Sequence, residues 1–265
     1  MHVRWGSRAC GSHRRAPEDR GARGRRPGGR CAGPAGGHHP EEGGGACGGR
    51  RAGGQEEGQG EVSLKFIVGL GNPGEEYARS RHNVGFLVVE RFAADEQFPP
   101  PRRKFSVKYT EKKLDGEPVF LLEPETYMNR NGPAVRELLA YFGGPRATES
   151  IAETLLVVHD DLDLPEGRLR FRSDGSSGGH RGVQSLIEAL GSGSFARLKV
   201  GIGRRAGSEA ADYVLERLSR EEEAQFLELC VEAARTLPVW IRQGVTACAN
   251  RFNGVKRDAR NEEAE

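Results

Sequence analysis

The sequence predicts an α/β protein, a single-domain sandwich in which a mixed, largely parallel central sheet is flanked by helices. Three observations lead to this fold class. Residues 155–158 form a short, entirely apolar run, which is typical of a strand buried in a parallel sheet. Residues 64–70 resemble a second core strand and run into a turn rich in Gly, Asn and Pro. Strand-like segments alternate with helical ones, an order that places helices against the faces of a sheet.

The first half of the chain contains three expected strands and two expected helices. The strands lie at residues 64–70, 104–109 and 118–122. The helices lie at residues 83–98 and 129–142. The dipeptide Asp115-Gly116 predicts the turn between the second and third strands. The tripeptide Gly143-Gly144-Pro145 predicts the end of the second helix, because glycine and proline both disfavour its continuation.

The second half continues the alternation. Strands are expected at residues 155–158, 168–172 and 197–202, and a helix at residues 182–190. Arg and apolar residues alternate along residues 168–172, so one face of that strand should be basic and the other apolar. Ser219 and Glu222 form a capping-box pattern that begins a last helix. Seven residues at helical spacing should form its core face: Phe226, Leu229, Cys230, Ala233, Leu237, Trp240 and Ile241.

Composition divides the chain into three parts. The first 60 residues hold 18 of the 38 glycines and no Ile, Leu or Phe. Such a segment cannot bury enough apolar surface to offset its chain entropy. We therefore expect a disordered Gly/Arg-rich extension at 1–61, a folded domain at 62–254 and a charged tail at 255–265.

Three origins of the extension remain open. The chain has no Met between Met1 and Met128, and Val62 stands where an alternative start codon would place the domain, so a mis-assigned start is the first alternative. A transit peptide would also be Arg-rich, but this segment has few serines and several acids. A functional basic tail is the third alternative.

Charge and cysteine content restrict the function classes. The first 60 residues carry 11 basic and 6 acidic residues, a net charge of +5. Because the whole chain has a net charge of +2, the remainder has a net charge of −3. If the domain binds RNA, it must do so through a local basic patch. The five cysteines include no CxxC pair and no disulfide framework, which indicates a reducing compartment. No apolar stretch approaches the length of a membrane span, and we expect no membrane contact.

The turn after the first strand places polar groups at a strand end. Asn72 lies in this turn, and His82 follows ten residues later, where a helical pattern begins. Loops at strand ends are where α/β proteins keep their chemistry, and histidine can act as a base near neutral pH. The spacing of Gly69, Gly71 and Gly74 also fits a dinucleotide fingerprint. Against that alternative, Glu90, the acidic residue it needs, lies inside a helical pattern.

Asp160 follows the apolar strand 155–158 and is the expected partner of a catalytic base. Asp161 and Asp163 follow closely, so a solvated acidic turn and a metal loop are the alternatives. Three acids alone do not make a calcium loop, and no HExxH or Cys/His ligand set is present. We expect no metal and no cofactor. His159 is interpreted as a packing residue.

Five segments in this order resemble the bacterial-type peptidyl-tRNA hydrolase family, and the resemblance covers roughly residues 64–254. They are Gly69–Gly74 with His82–Gly85, Glu125–Asn129, His159–Pro165, Gly178–Gly182 and Arg197–Gly203. The resemblance implies hydrolysis of the ester between a nascent peptide and tRNA by a monomeric, cytoplasmic enzyme. Its partner is peptidyl-tRNA.

The resemblance also implies roles for individual residues. His82 matches the base that activates water, and Asp160 matches its orienting carboxylate. Four residues match positions that contact or line the substrate: Asn72, Tyr77, Met128 and Asn129. Arg181 stands in the substrate site where many members have Asn. Arg172 and Lys199 match a basic pair that clamps a tRNA phosphate.

Two further expectations concern the loop and the strands around it. Backbone N–H groups of residues 175–182 are candidates for holding an anion or a developing oxyanion. Seven basic residues form the expected RNA patch: Arg168, Arg170, Arg172, Arg197, Lys199, Arg204 and Arg205. The rival function is a catalytically inactive RNA-binding relative with the same fold, such as the chloroplast splicing factors. The presence of Asn72, His82, Asn129 and Asp160 argues against it.

Overall fold

Seven strands form one sheet in this computed structural model, which describes residues 64–205, 207 and 209–254, with only the backbone of 145–149. The strands are β1 (Lys65–Gly69), β2 (Arg102–Lys104), β3 (Val107–Leu114), β4 (Glu117–Pro124), β5 (Leu155–Asp161), β6 (Leu169–Arg172) and β7 (Ala196–Gly201). The predicted extension at 1–61 and tail at 255–265 lie outside the described residues.

The order of strands in the sheet is β2-β3-β4-β1-β5-β7-β6. The four central strands, β4, β1, β5 and β7, are parallel. The hairpin of β2 and β3 extends one edge in antiparallel pairing, and β6 does the same at the other edge. The predicted mixed α/β sheet is therefore confirmed, and its parallel part forms the centre.

The helices are α1 (Val84–Asp95), α2 (Asn131–Glu149), α3 (Ile151–Thr154), α4 (Arg181–Leu190), α5 (Ala210–Leu215) and α6 (Arg220–Phe252). The helices α2 and α4 pack together over a core that includes Phe66, Val68 and Leu122. The helices α1 and α6 contact each other on the opposite face. None of the helices in the described part of the chain is long and apolar enough to cross a membrane.

Most predicted elements are present, with shifted ends. The turn at Asp115-Gly116 is confirmed, and both residues have positive φ, 52° and 88°. The backbone of α2 leaves helical geometry at Gly144 (φ 60°), inside the predicted Gly-Gly-Pro stop. Ser219 and Glu222 form the predicted capping box, and all seven residues of the predicted stripe on α6 are buried.

The strand β2 and the short helices α3 and α5 were not predicted, and the strand predicted at residues 104–109 was wrong in crossing the turn between β2 and β3. The turn that joins β2 to β3 consists of Phe105 and Ser106, both at positive φ (52° and 58°). Neither residue type favours that region, so the turn has no sequence signature. The helix α5 has only six residues, too few for a visible helical period.

Glycines at the end of β1 allow a close backbone approach. A Cβ at Gly69 would lie 2.3 Å from the carbonyl oxygen of Gly85, and a Cβ at Gly85 would lie 2.3 Å from the backbone nitrogen of Leu70. The first turn of α1 therefore packs directly on the strand end. This contact fixes the 3-10 helix Arg81–Asn83, which contains His82 and precedes α1. The glycines thus have a packing role in addition to permitting the turn that carries Asn72.

We expect Gly85→Ala to lower the free energy of unfolding by about 1–3 kcal/mol, because the new methyl group meets backbone atoms that cannot move aside. Urea unfolding monitored by circular dichroism measures this change. Gly254→Ala is the matched control, since a Cβ at Gly254 has no neighbour within 4 Å. Equal stability of the two variants would refute the packing role of Gly85.

Candidate active site

A cavity of about 560 Å³ opens at the edge of the sheet where the parallel strands end. The loops after β1, β4, β5, β6 and β7 surround it, together with the first turn of α4 and helix α5. Eight of the nine predicted site residues line it: Asn72, Tyr77, His82, Met128, Asn129, Asp160, Arg181 and Lys199. Arg172 is exposed on the edge strand β6 and is not part of the lining.

The carboxylate of Asp160 is the centre of the cavity's hydrogen bonds. It lies at the end of β5 and is only 3% exposed. Its Oδ1 is 2.9 Å from Nδ1 of His82 and 3.0 Å from Nε2 of His180. The His82 and His180 rings lie 4.9 Å apart, so one buried acid holds two imidazoles side by side.

Local structure determines which ring nitrogens carry protons. Nδ1 of His180 caps α4 by accepting from the backbone N–H groups of Gly182 (3.1 Å) and Val183 (3.2 Å). In the neutral ring Nε2 must then carry the proton and donate it to Asp160. His82 donates from Nδ1 to the same carboxylate. Nε2 of His82 therefore keeps its lone pair, and it has no hydrogen-bond partner among the described residues.

The charge of Asp160 is stabilised by these two rings. Burial alone would raise the pKa of this carboxyl, but attraction to His82 and His180 and their hydrogen bonds outweigh burial and hold the pKa well below its usual range. Asp160 is consequently an anion at neutral pH. A buried carboxylate beside His82 favours any positive charge that develops on the ring.

His159 contacts both Asp160 and His180. Its Nδ1 donates to the backbone carbonyl of Asp160 over 2.7 Å, and its ring packs edge-on against His180. Burial lowers the pKa of His159 well below its usual range, and the neighbouring His180 adds to this effect. His159 is thus a neutral ring that supports His180, in agreement with its interpretation as a packing residue.

Asn72 is held by a clamp that the sequence analysis missed. Asn83 accepts from the backbone N–H of Asn72 (2.8 Å) and donates to its carbonyl (3.0 Å). The side-chain Oδ1 of Asn72 accepts from the backbone N–H of Met128 (2.9 Å). Since the oxygen is occupied, the amide nitrogen is the end of Asn72 that remains to donate into the cavity.

Asn129 and its neighbours form the wall next to Asn72. Met128 is buried, whereas Asn129 is exposed and its side chain has no partner in the described part of the chain. The residue was expected to begin a helix, but it lies in the 3-10 helix Met128–Arg130, and α2 begins at Asn131. Tyr77 is half-buried and also lines the cavity.

The expected anion site in the backbone of residues 175–182 is only partly available. The N–H groups of Gly182 and Val183 are used by His180, so the first turn of α4 does not offer them to an anion. Arg181, the first residue of α4, is exposed, lines the cavity and forms no ion pair with any described residue. The available charged donor at this helix end is therefore the Arg181 side chain.

The expected basic patch is only partly available. Lys199 forms an ion pair with Asp161 (2.7 Å), and Arg204 forms one with Asp163 (2.7 Å), so the acidic turn after β5 is paired with bases. Arg197 is 1% exposed, and its inclusion in an RNA-binding surface is wrong. Its guanidinium bonds to backbone carbonyls instead.

One cluster of described residues has the spacing of metal ligands. It consists of His82, Asp160 and His180, whose ligand atoms lie within 4.8 Å of one another. The same atoms satisfy one another by hydrogen bonding, and Nε2 of His180 faces Asp160 as a donor. The arrangement is therefore accounted for by an acid and two imidazoles.

His180 and Asn83 are the functional residues that sequence reasoning missed. Each lies directly beside a residue that was predicted, His180 beside Arg181 and Asn83 beside His82. The signal for His180 was an imidazole at a helix N-cap position, which leaves its other nitrogen free to donate. For Asn83 the sequence carries no signal, because its partner is backbone eleven residues away.

Comparison with known proteins gives one consistent result. A protein-family model described as peptidyl-tRNA hydrolase matches residues 66–262. A peptidyl-tRNA hydrolase of Shouchella clausii is 42% identical over 191 residues, covering 72% of this chain and all of the relative. One of Chloroflexus aggregans is 44% identical over 188 residues, covering 71% of this chain and 97% of the relative. A crystal structure of peptidyl-tRNA hydrolase from Acinetobacter baumannii is similar at a TM-score of 0.65 and 30% identity, covering 74% of this chain and 97% of that chain.

We expect His159 to remain neutral at about pH 5.5, where an ordinary histidine is mostly charged. Its folded-state pKa is depressed, so the unfolded chain binds the proton more tightly and stability falls as the pH drops below 6.5. Long-range ¹H–¹⁵N NMR of the ring nitrogens should find the proton on Nδ1 of His159 and, at neutral pH, on Nε2 of His180. The His159→Gln variant lacks this ring, so the ring-nitrogen signals that disappear from its spectrum are those of His159. Titration of His159 near pH 6.5 would contradict its burial.

Proposed function

This chain belongs to the peptidyl-tRNA hydrolase family, and we propose that it performs the family's reaction with a water molecule activated by His82. The reaction is hydrolysis of the ester that joins a peptide to tRNA. The observation that carries the assignment is the His82–Asp160 bond of 2.9 Å, which leaves Nε2 of His82, on the cavity lining, without a hydrogen-bond partner among the described residues.

The first step is attack by water. Nε2 of His82 takes a proton from the water while its oxygen adds to the ester carbonyl carbon, which gives a tetrahedral oxyanion. The resulting imidazolium lies against the Asp160 carboxylate, whose charge stabilises it. His180 holds that carboxylate in place from the other side.

In the second step the intermediate collapses. The bond between the former carbonyl carbon and the ribose oxygen breaks, and His82 returns its proton to that oxygen. The products are a peptide with a free carboxyl group and a tRNA with a free terminal hydroxyl. No protein nucleophile is needed, and the His82 ring is regenerated without the extra proton.

The two asparagines supply the donors for the oxyanion and the peptide. The amide nitrogen of Asn72 is directed by the Asn83 and Met128 contacts and is suited to donate to the ester oxygen. Asn129, exposed beside it, is suited to bond the peptide backbone. One donor to a developing oxyanion contributes roughly 10²–10³-fold to the rate in well-studied hydrolases. Tyr77 and Met128 are walls of the same cavity.

Lys199 and Arg172 are proposed as contacts to tRNA phosphate, which position the substrate without reading its sequence. Lys199 already pairs with Asp161, so a phosphate must compete with that carboxylate. Arg172 is exposed on the edge strand, outside the cavity. A phosphate contact there would act at a distance from the scissile ester.

We further propose the domain limits 62–254, with an N-terminal extension at 1–61 and a tail at 255–265. A monomer is the proposed state, supported by the small number of large apolar side chains exposed among the described residues: Tyr127, Tyr141, Leu215 and Leu227. Two of these, Tyr127 and Leu215, line the cavity. The cytoplasm, where peptidyl-tRNA is made, is the proposed location.

A catalytically inactive RNA-binding relative is the less favoured alternative. The relatives from Shouchella clausii and Chloroflexus aggregans, which are matched over 97% or more of their own length, are peptidyl-tRNA hydrolases. The base, its acid and both amides are present in this chain. Turnover of peptidyl-tRNA by the purified protein, measured as release of free tRNA, separates the two functions directly.

His82→Ala should lower the single-turnover rate about 10²–10⁴-fold, the usual contribution of a general base, while tRNA affinity persists. Asp160→Asn should lose less, because its amide oxygen can still accept from His82 and His180 although the charge is gone. Quenched single-turnover hydrolysis measures both rates. Arg91→Ala, an exposed change on the outer side of α1, is the control. A near-normal rate for His82→Ala would exclude it as the base.

Arg181→Ala should raise KM or lower kcat/KM, since it removes a charged donor from the cavity. Arg181→Asn should keep appreciable activity, because the amide restores a donor of the kind that many relatives have. Arg130→Ala is the matched control, an exposed arginine in the neighbouring 3-10 helix that does not line the cavity. Unchanged kinetics for Arg181→Ala would remove this residue from the site.

A further inference from the structure

The loop that connects β6 to α4 has few packing contacts of its own. It contains three glycines at positive φ, Gly175 (130°), Gly178 (57°) and Gly179 (82°). A Cβ added at Gly178 or Gly179 would meet no heavy atom within 4 Å. Yet residues 177–181 form one wall of the cavity and deliver His180 to Asp160. Something other than packing must therefore hold this loop.

Arg197 provides that restraint. It lies on β7, is 1% exposed, and stacks over the ring of Phe195 at 4.7 Å. One guanidinium nitrogen donates to the carbonyl of Ser176 (2.5 Å), and the other donates to the carbonyls of Gly175 and of Gly193 (3.0 Å). The first two carbonyls precede α4 and the third follows it, so a single side chain ties both flanking loops to the sheet.

The hydrogen-bond partners of the buried Arg197 guanidinium are neutral backbone carbonyls. Burial lowers the pKa of Arg197, with partial compensation from Asp174, and no carboxylate bonds to its guanidinium among the described residues. A buried cation whose bonds go to neutral carbonyls is a costly way to gain stability. A planar fork with several donors is, however, well suited to fix several carbonyls at once.

We propose that Arg197 is a positioning residue for the hydrolysis reaction. It fixes the loop 175–180 so that His180 stays hydrogen-bonded to Asp160 and the loop backbone stays beside His82. It does not touch the substrate, and its role differs from the phosphate contacts proposed for Lys199 and Arg172. Its kinetic consequence rests on the proposed function, whereas its effect on the loop does not.

The test compares Arg197→Ala with two controls. Arg136→Ala is the same chemical change at an exposed arginine that bonds the carbonyl of Ala189 near the other end of α4. Val119→Ala, in the buried part of β4, lowers stability without touching the loop. Amide hydrogen exchange at residues 173–180 should accelerate about tenfold or more in Arg197→Ala and in neither control, because local opening becomes easier.

The kinetic measurement is carried out well below the melting temperature of every variant. For Arg197→Ala, kcat should fall about tenfold to a hundredfold while KM changes little, since a small misplacement of reacting groups affects the transition state most. Guanidinium ion at low millimolar concentration should restore part of kcat in this variant and leave both controls unchanged. If Arg197→Ala does not fold, Arg197→Lys should show the same pattern with a smaller amplitude.

Two results would overturn the positioning role. One is loop exchange and kcat in the Arg197 variant that match Val119→Ala. The other is a proportional loss of kcat and tRNA affinity with no response to guanidinium. Failure of the proposed function is a separate outcome: the unaltered protein would release no tRNA from peptidyl-tRNA, while the exchange measurement would still report on the loop.

Discussion

The buried carboxylate of Asp160 is the interaction on which the rest of the site depends. It accepts from His82 on one side and from His180 on the other, and it remains an anion because both rings face it. Each ring is constrained in turn by backbone: His180 caps α4, and His82 lies in a 3-10 helix pressed against the end of β1. The charge of Asp160 therefore determines the tautomer of His82 and orients its free nitrogen toward the cavity. It also joins Asp160 to His82, 78 residues away in sequence, and to His180, 20 residues away.

The remaining contacts bring separate loops to this charge. The close approach of Gly69 and Gly85 brings the first turn of α1 to the strand end. The clamp of Asn83 on Asn72, continued by the bond from Asn72 to Met128, joins the loops after β1 and β4. In the proposal made here, Arg197 does the same for the glycine loop. Polar side chains that bond to backbone thus hold the flexible turns of this site, and the apolar core supports the strands from which those turns begin.

The sequence predicted elements whose signals are local. The apolar strands, the capping box at Ser219, the turn at Asp115-Gly116 and the stripe on α6 were all found. Asp160 and His82 could be inferred because each follows an element whose pattern was clear. The strand β2 escaped detection because its turn uses Phe105 and Ser106 at positive φ. Arg197 was assigned to the wrong environment because alternation along a strand shows which face a residue occupies but not whether a loop covers that face.

The central claim is that Asp160 contributes to catalysis through His82. A double-mutant cycle of His82→Ala, Asp160→Asn and the combined variant, measured by single-turnover hydrolysis of one peptidyl-tRNA, tests it directly. If the two residues act as a unit, Asp160→Asn should lower the rate in the native background and change it by less than about twofold once His82 is absent. An equal loss in both backgrounds would show that Asp160 acts independently of His82 and would contradict this account of the site.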